Sequence, residues 1–270
     1  MDKLTLKRGG QVLAPSLFTV GNMACGFYAL MSVHRGEYAS AATAIIIGMV
    51  FDALDGRVAR LVHGESSFGV EFDSLSDFLT FGIAPAHMMY GFILKDYGVW
   101  GYPMAFCYAL CGGLRLARFN AVAHDSGGSK SHFTGLPIPG GAGVLASFVL
   151  LYQIIEEGRP AHTWKFLMDQ VPVLYGFAPA MVLVVSFLMI STIPYPAFKQ
   201  PNVFQPRSVK VLLSVIAFAA LIFVYPQNTL FALFWFFAAL GPLSLAVRLF
   251  LKLIGRGEKP APQEGPDHPL

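Results

Sequence analysis

Long apolar stretches dominate this chain, and they restrict it to a helical fold that crosses a membrane. A helix needs about 20 apolar residues to cross the hydrocarbon layer. Eight stretches come close to that length, at 14–33, 39–61, 73–94, 98–118, 140–156, 173–195, 208–225 and 227–253. We therefore expect an all-α integral membrane protein with about eight transmembrane helices.

The composition agrees with a membrane protein and argues against a nucleic-acid-binding one. Of the 270 residues, 55% are hydrophobic and 13% are charged, whereas a soluble domain has about 25% charged residues. The formal net charge of +3 is too small to indicate nucleic acid. Cys25, Cys107 and Cys111 lie in apolar stretches without disulfide or zinc spacing, which is typical of packing residues.

The basic residues predict the orientation of these spans. With the N-terminus in the cytosol, only Arg35, Lys95, Arg159 and Lys165 fall on the outer side, so 15 of the 19 basic residues are cytosolic. That asymmetry follows the positive-inside rule and places both termini in the cytosol. We expect one transmembrane domain over residues 1–258, and a disordered cytosolic tail over the proline-rich residues 259–270.

Four aspartates lie near the ends of the second and third apolar stretches. Asp52 and Asp55 are three residues apart and Asp73 and Asp77 four apart, so each pair shares one face of a helix. A short connection makes the two helices antiparallel neighbours, with both pairs at the same cytosolic level. Four facing carboxylates form a cage of hard oxygen ligands, which suits Mg²⁺, Mn²⁺ or Ca²⁺ rather than zinc or copper.

Small residues and an arginine accompany these acids. Gly56, Ala59 and Gly69 leave a groove in which a flat ligand can approach the backbone, and Arg60 lies one turn beyond Gly56. Together with a cation, this combination indicates a diphosphate site. Charges extending to the membrane surface from helix ends would explain any one of the acids, but not four in helical register around two glycines.

The acids and small residues form a recognisable pattern. It reads Asp52-x2-Asp55-Gly56-x2-Ala59-Arg60-x8-Gly69-x3-Asp73-x3-Asp77. At every fixed position it resembles the signature of the CDP-alcohol phosphotransferase family. The resemblance implies that a CDP-linked lipid or alcohol is cleaved at its diphosphate, so that CMP leaves and a hydroxyl acceptor takes the phosphoryl group. It also implies two divalent metal ions, a homodimer and a family core over about residues 12–195.

The same resemblance assigns roles to individual residues. Asp52, Asp55 and Asp73 would be metal ligands, and Asp77 both a ligand and the general base that accepts the acceptor's proton. The CDP-lipid would be contacted by residues of the pattern and by a serine before the second glycine. These are Gly56, Ala59, Arg60, Ser66, Ser67 and Gly69.

Thr19 and Asn22 lie three residues apart on the first span. They could bond the nucleotide from a neighbouring helix. They could equally form a structural hydrogen bond between helices. The sequence leaves both interpretations open.

Arg115 and Arg118 share a face at the end of the fourth span, at the membrane depth of the aspartates. Two guanidinium groups suit a carboxylate or a phosphate, although helix-end arginines also meet lipid headgroups. The segments 113–120 and 133–142 resemble the phosphatidylserine synthase branch of the family. That implies CDP-diacylglycerol and L-serine as substrates, with Arg118 and Arg115 holding the serine carboxylate or the lipid phosphate. Asn120, Lys130 and Thr134 are weaker candidates for the same role.

Several alternatives stay open at this point. Within the family, glycerol 3-phosphate or inositol phosphate could be the acceptor, and an ether-linked CDP-lipid could be the donor. The pattern does not choose between Mg²⁺ and Mn²⁺. Outside the family, a divalent-cation transporter would use similar acids, but near the membrane midplane and often with internal repeats. A non-catalytic scaffold would require the carboxylates to be dispensable.

Overall fold

Helices account for the regular structure throughout the part of the chain that the computed structural model describes. The described residues are 3–62, 67–125, 135–156, 171–193, 195, 221 and 224–253. Within these ranges, side chains are not described at 3–16, 59–62, 67, 123–125, 154–156, 171–174, 248–249 and 251–253.

Eight α-helices follow one another in the described ranges. They are α1 Lys3–His34, α2 Tyr38–Val62, α3 Ser67–Asp77, α4 Ala84–Phe92, α5 Gly101–Asp125, α6 Ile138–Glu156, α7 Val171–Ile190 and α8 Pro226–Leu253. A π-helical segment, Phe78–Ile83, joins α3 to α4 without a break. A 3₁₀ segment, Leu94–Trp100, leads from α4 into α5.

Helix boundaries follow local backbone chemistry. Gly36, with φ of 77°, turns the chain between α1 and α2, in a conformation that side chains disfavour. Pro85 lies in the first turn of α4 and lacks an N–H, and the Tyr108 hydroxyl donates to the carbonyl of Phe81, four residues earlier. Pro179 and Pro242 lie inside α7 and α8, which membrane helices tolerate because neighbouring groups satisfy the freed carbonyl.

The regular structure of the described residues is helical and agrees with the prediction of an all-α membrane protein. Tyr38–Val58 and Pro226–Val247 are long and apolar enough to cross a membrane, and Ile138–Gln153 and Tyr175–Ile190 are shorter apolar helices. Large apolar side chains such as Phe187 face outward, as lipid-facing surfaces require. Seven of the eight expected spans coincide with helical segments, whereas 208–225 lies almost wholly outside the described residues. The number of spans and the side of each terminus stay predictions.

The packing order places the acid-bearing helices together. α1 makes its most extensive contact with α2 and also touches α3 and α4. α6 contacts α2, α7 and α8, while α5 packs along α7. The interior between them is filled by apolar side chains, among them the fully buried Ile45, Met88, Met89 and Leu145. This core joins α1, α2, α4 and α6.

Candidate active site

Three carboxylates converge where α2 meets α3. Asp52 on α2 and Asp73 and Asp77 on α3 each offer an oxygen, and these oxygens all lie within 4.8 Å of one another. A divalent cation binds carboxylate oxygens at about 2.0–2.6 Å, so one ion can reach all three. The facing of the two acid pairs, predicted from their spacing, is therefore seen for three of the four acids.

Asp55 stands beside this cluster and is bonded to α1. It is buried, and the hydroxyl of Thr19 donates a hydrogen bond to its Oδ2. Asp55 still interacts electrostatically with Asp52 and Asp73. The four-acid cage expected from the sequence is thus three converging carboxylates with the fourth held at their edge.

Unsatisfied oxygens show that these residues suit a cation. Asp73 Oδ1 and Asp55 Oδ1 are buried and have no hydrogen-bond donor among the described residues. Buried acceptors without a donor are rare, because leaving such a group unpaired costs free energy. A hard cation satisfies carboxylate oxygens directly, so the donor set fits Mg²⁺ or Mn²⁺.

Asn22 on α1 holds the third converging acid. Its Nδ2 donates to Asp77 Oδ1 at 2.9 Å, and the Asn22 side chain is completely buried. Of the two interpretations of Thr19 and Asn22, the structure displays the hydrogen bond between helices. A contact of either residue with the nucleotide stays a prediction.

Two hydroxyl groups that the sequence interpretation missed complete this network. Ser76 Oγ donates to the Thr19 carbonyl at 3.0 Å, and Thr80 Oγ1 donates to the Asn22 carbonyl at 2.9 Å. A signal for them exists, because Asp73, Ser76, Asp77 and Thr80 repeat at i, i+3, i+4 and i+7. That spacing marks one polar stripe on a helix otherwise set in apolar surroundings.

Of the two arginines on α5, Arg115 is the one associated with the carboxylates. It is 9% exposed and interacts electrostatically with Asp77. Its Nε has no hydrogen-bond partner among the described residues, so the guanidinium retains a donor for an anion. Asn120 on the same helix donates to Ser74 Oγ on α3 at 3.0 Å, which ties α5 to the acid-bearing helix.

Arg118 is directed to the end of α7. Its guanidinium donates to the carbonyls of Ile190 at 3.0 Å and Ser191 at 3.4 Å. A cation at a helix C-terminus is stabilised by the unpaired carbonyls and the helix dipole. The expectation that Arg118 binds serine stays untested, and the observed contacts give it a structural role.

The same helix end receives the chain entering α6. The N–H of Gly135 donates to the Ile193 carbonyl at 2.8 Å, and the N–H of Leu136 to the Leu188 carbonyl at 2.9 Å. Gly135 has φ of 83°, and a Cβ there would lie 2.8 Å from the Ser191 carbonyl oxygen. Only glycine fits this close approach of two backbones.

The remaining candidates are only partly placed. Gly56 lies on an exposed side of α2, where a Cβ would meet nothing within 4 Å, and Gly69 lies in the first turn of α3. Four other candidates lie wholly or in their side chains outside the described residues, namely Ala59, Arg60, Ser66 and Ser67. Lys130 and Thr134 also lie outside them.

The helical bundle and its carboxylates define a class: a membrane protein with an acidic site suited to a divalent cation, beside a buried arginine. Comparison with known proteins makes this specific. Residues 12–176 match the CDP-alcohol phosphatidyltransferase family. The chain belongs to this family.

Similar proteins from several organisms carry the name CDP-diacylglycerol–serine O-phosphatidyltransferase. The chain is 31% identical to the Helicobacter pylori protein over 221 residues, covering 81% of this chain and 84% of the relative. It is 31% identical to the Bacillus subtilis protein over 186 residues, covering 69% and 91%. It is 35% identical to the Methanocaldococcus jannaschii protein over 158 residues, covering 58% and 63%.

Proposed function

We propose that the chain is a phosphatidylserine synthase, which transfers the phosphatidyl group of CDP-diacylglycerol to the hydroxyl of L-serine and releases CMP. The observation that carries this proposal is the similarity to relatives of that name over most of the chain. The converging carboxylates of Asp52, Asp73 and Asp77 supply the acidic site that such a reaction needs.

The carboxylates have two proposed tasks. Asp52, Asp73 and Asp77 hold divalent metal, Mg²⁺ or Mn²⁺, and Asp55 joins them as a fourth ligand at the edge of the cluster. Two ions would be accommodated if Asp55 exchanges its bond to Thr19 for a metal bond. Bound divalent ions neutralise the diphosphate and stabilise the departing CMP.

Asp77 is the proposed general base. The serine hydroxyl oxygen attacks the lipid-side phosphorus, the bond from that phosphorus to the CMP oxygen breaks, and Asp77 accepts the hydroxyl proton. The amide of Asn22 bonds one oxygen of Asp77 and so fixes the orientation of the carboxylate that binds metal and accepts the proton. The serine carboxylate or the lipid phosphate is bound by Arg115, because Arg118 is engaged at the end of α7.

The arrangement in the membrane is part of the proposal. Eight spans with both termini in the cytosol place the active site at the cytosolic face of the cell membrane. One catalytic domain covers residues 1–258, followed by a tail over 259–270. The protein acts as a homodimer.

Labelling of single-cysteine variants at residues 36 and 98 from outside intact cells tests the topology, since both glycines lie on the predicted outer side.

The acceptor is tested by incubating purified protein with CDP-diacylglycerol, Mn²⁺ or Mg²⁺, and labelled L-serine, glycerol 3-phosphate or inositol phosphate. We expect phosphatidylserine and equimolar CMP with serine alone, and no product after complete chelation of divalent metal. A product formed from either phosphorylated acceptor instead of serine would assign the chain to another branch of the family. Turnover after complete chelation would contradict the proposed binding of divalent metal by the carboxylates.

A further inference from the structure

Two residues of α1 each donate a side-chain hydrogen bond to an aspartate and accept a hydrogen bond at their carbonyl from a hydroxyl group. The side chain of Thr19 donates to Asp55 while its carbonyl accepts from Ser76. The side chain of Asn22 donates to Asp77 while its carbonyl accepts from Thr80. The residues that orient the acids are therefore themselves held by hydroxyl groups of the acid-bearing segment.

These cross-helix bonds are not needed to satisfy the backbone. Carbonyls in the middle of a helix already accept an N–H from four residues onward. Buried hydroxyls can also bond a carbonyl of their own helix, as Ser147 does with Val144 and Ser186 with Val182. Ser76 and Thr80 are just as deeply buried, yet both bond α1 instead. Their geometry therefore links two helices where an internal bond was available.

Close packing fixes the orientation of Thr80. A Cβ on Gly48 of α2 would lie 2.7 Å from Thr80 Cγ2 and 3.0 Å from Asn22 Oδ1. A Cβ on Gly26 of α1 would lie 2.9 Å from Thr80 Cα. The methyl group thus fills the space that one glycine leaves and directs the hydroxyl towards Asn22. Three segments meet at this side chain, namely α1, α2 and the π-helical segment.

We infer that Ser76 and Thr80 are positioning residues of the synthase, which set the register of α1 against α3 so that Thr19 and Asn22 reach Asp55 and Asp77. Neither hydroxyl touches the cluster oxygens; both act through the main chain of α1. This inference rests on the proposed metal-binding role of the carboxylates. It extends that role to two residues outside the acidic pattern.

The test compares Thr80→Val and Ser76→Ala with the matched control Ser186→Ala, in which a buried hydroxyl bonded within its own helix is removed. Mn²⁺ binding to purified protein in detergent is measured by electron paramagnetic resonance, alongside kcat and both KM values. Partners outside the direct ligands change metal affinity by about 10–100-fold when removed. Because Ser76 and Thr80 act one step further out, we expect Mn²⁺ to bind about three- to tenfold more weakly. Thr80→Ser, which keeps the hydroxyl, should restore most of the affinity, and Ser186→Ala should leave it unchanged.

The Mn²⁺ affinities of these variants decide whether the inference holds. Wild-type Mn²⁺ affinity in both Thr80→Val and Ser76→Ala would overturn the inference, as would an equal loss in Ser186→Ala. If Thr80→Val does not fold, Ser76→Ala decides alone, because it removes a single oxygen. Asp73→Asn separates the two proposals: if it binds Mn²⁺ like the wild type, the proposed metal site itself is wrong. If it loses Mn²⁺ while the hydroxyl variants do not, only the positioning role fails.

Discussion

The acid-bearing end of α1 to α3 and the apolar half formed by α6 to α8 use buried hydroxyl groups differently. In the first region, Thr19, Ser76 and Thr80 donate across helix boundaries. In the second, Ser147 and Ser186 donate to carbonyls of their own helices. Hydroxyl bonds between segments also occur in the apolar half, from Tyr195 to the Ala238 carbonyl and from Thr229 to the Leu221 carbonyl. What distinguishes the first region is that its hydroxyl bonds reach a carboxylate or a residue that contacts one.

The apolar half also relies on close packing of complementary shapes. A Cβ on Gly143 of α6 would overlap the ring of Phe234 on α8, and one on Gly141 would lie 3.2 Å from Met189 Sδ on α7. Small residues let membrane helices approach closely and gain dispersion energy without a polar bond. The comparison indicates that hydrogen bonds in the first region hold the carboxylates in position, whereas close packing in the second holds the helices together. Substitutions in the two regions should therefore have different signatures.

The largest effect is expected for Asp77→Asn. The substitution keeps the shape of the side chain and removes the proton acceptor, so kcat should fall by about 10²–10⁴-fold. The variant should remain folded and still bind CDP-lipid, as measured by size-exclusion chromatography and by binding of labelled lipid. A rate of CMP release near that of the wild type would remove Asp77 from the base role.

A smaller loss is expected for Asn22→Leu, which deletes the amide that holds Asp77. Mn²⁺ affinity should fall by about 10–100-fold, as for other partners of metal ligands. Gln153→Leu is the control, since it removes a partly buried amide on α6, outside the acid-bearing region. Equal Mn²⁺ binding in the two variants would show that the contrast between the regions is mistaken.

The apolar half should respond in stability alone. Gly143→Ala forces the Phe234 ring to move, and overpacking of this kind costs about 1–3 kcal/mol. We expect a lower melting temperature in detergent, with Mn²⁺ affinity and serine KM of the folded protein unchanged. Gly176→Ala in α7 should be tolerated, because a Cβ there meets nothing within 4 Å. Altered Mn²⁺ affinity in Gly143→Ala would mean that the packing of α6 against α8 also affects the proposed metal site.

The smallest effect separates the two arginines. Arg118→Ala loses hydrogen bonds to the end of α7, which should lower stability by about 1–2 kcal/mol. Its serine KM should rise less than that of Arg115→Ala, because Arg115 is the arginine that interacts with Asp77. Steady-state kinetics at saturating CDP-diacylglycerol measures both. A larger rise in serine KM for Arg118→Ala would restore the role that the sequence suggests for it.

The sequence predicts the helices and the acids because both depend on local spacing. Apolar length locates α2 and α8, and the intervals between Asp52 and Asp55 and between Asp73 and Asp77 place each pair on one face. Those rules need no knowledge of distant residues.

Other features depend on tertiary packing, which residue spacing and apolar length do not predict. The bond from Thr19 to Asp55 requires the rotation of α1 against α2, which spacing within one helix does not give. The partner of Arg118 lies 72 residues away, on a helix whose apolar sequence shows no preference for it. The π-helical segment Phe78–Ile83 depends on how Thr80 and Phe81 pack, with Tyr108 donating to the Phe81 carbonyl at 3.1 Å.

The end of α7 has a consequence for the chain on either side of it. Arg118 before the segment 126–134 and Gly135 after it are both fastened to that one helix terminus. Described residues on both sides of the segment 126–134 are therefore held by the same helix end. A substitution that displaces the last turn of α7 therefore disturbs the contacts of both Arg118 and Gly135, which precede and follow the segment that contains Lys130 and Thr134.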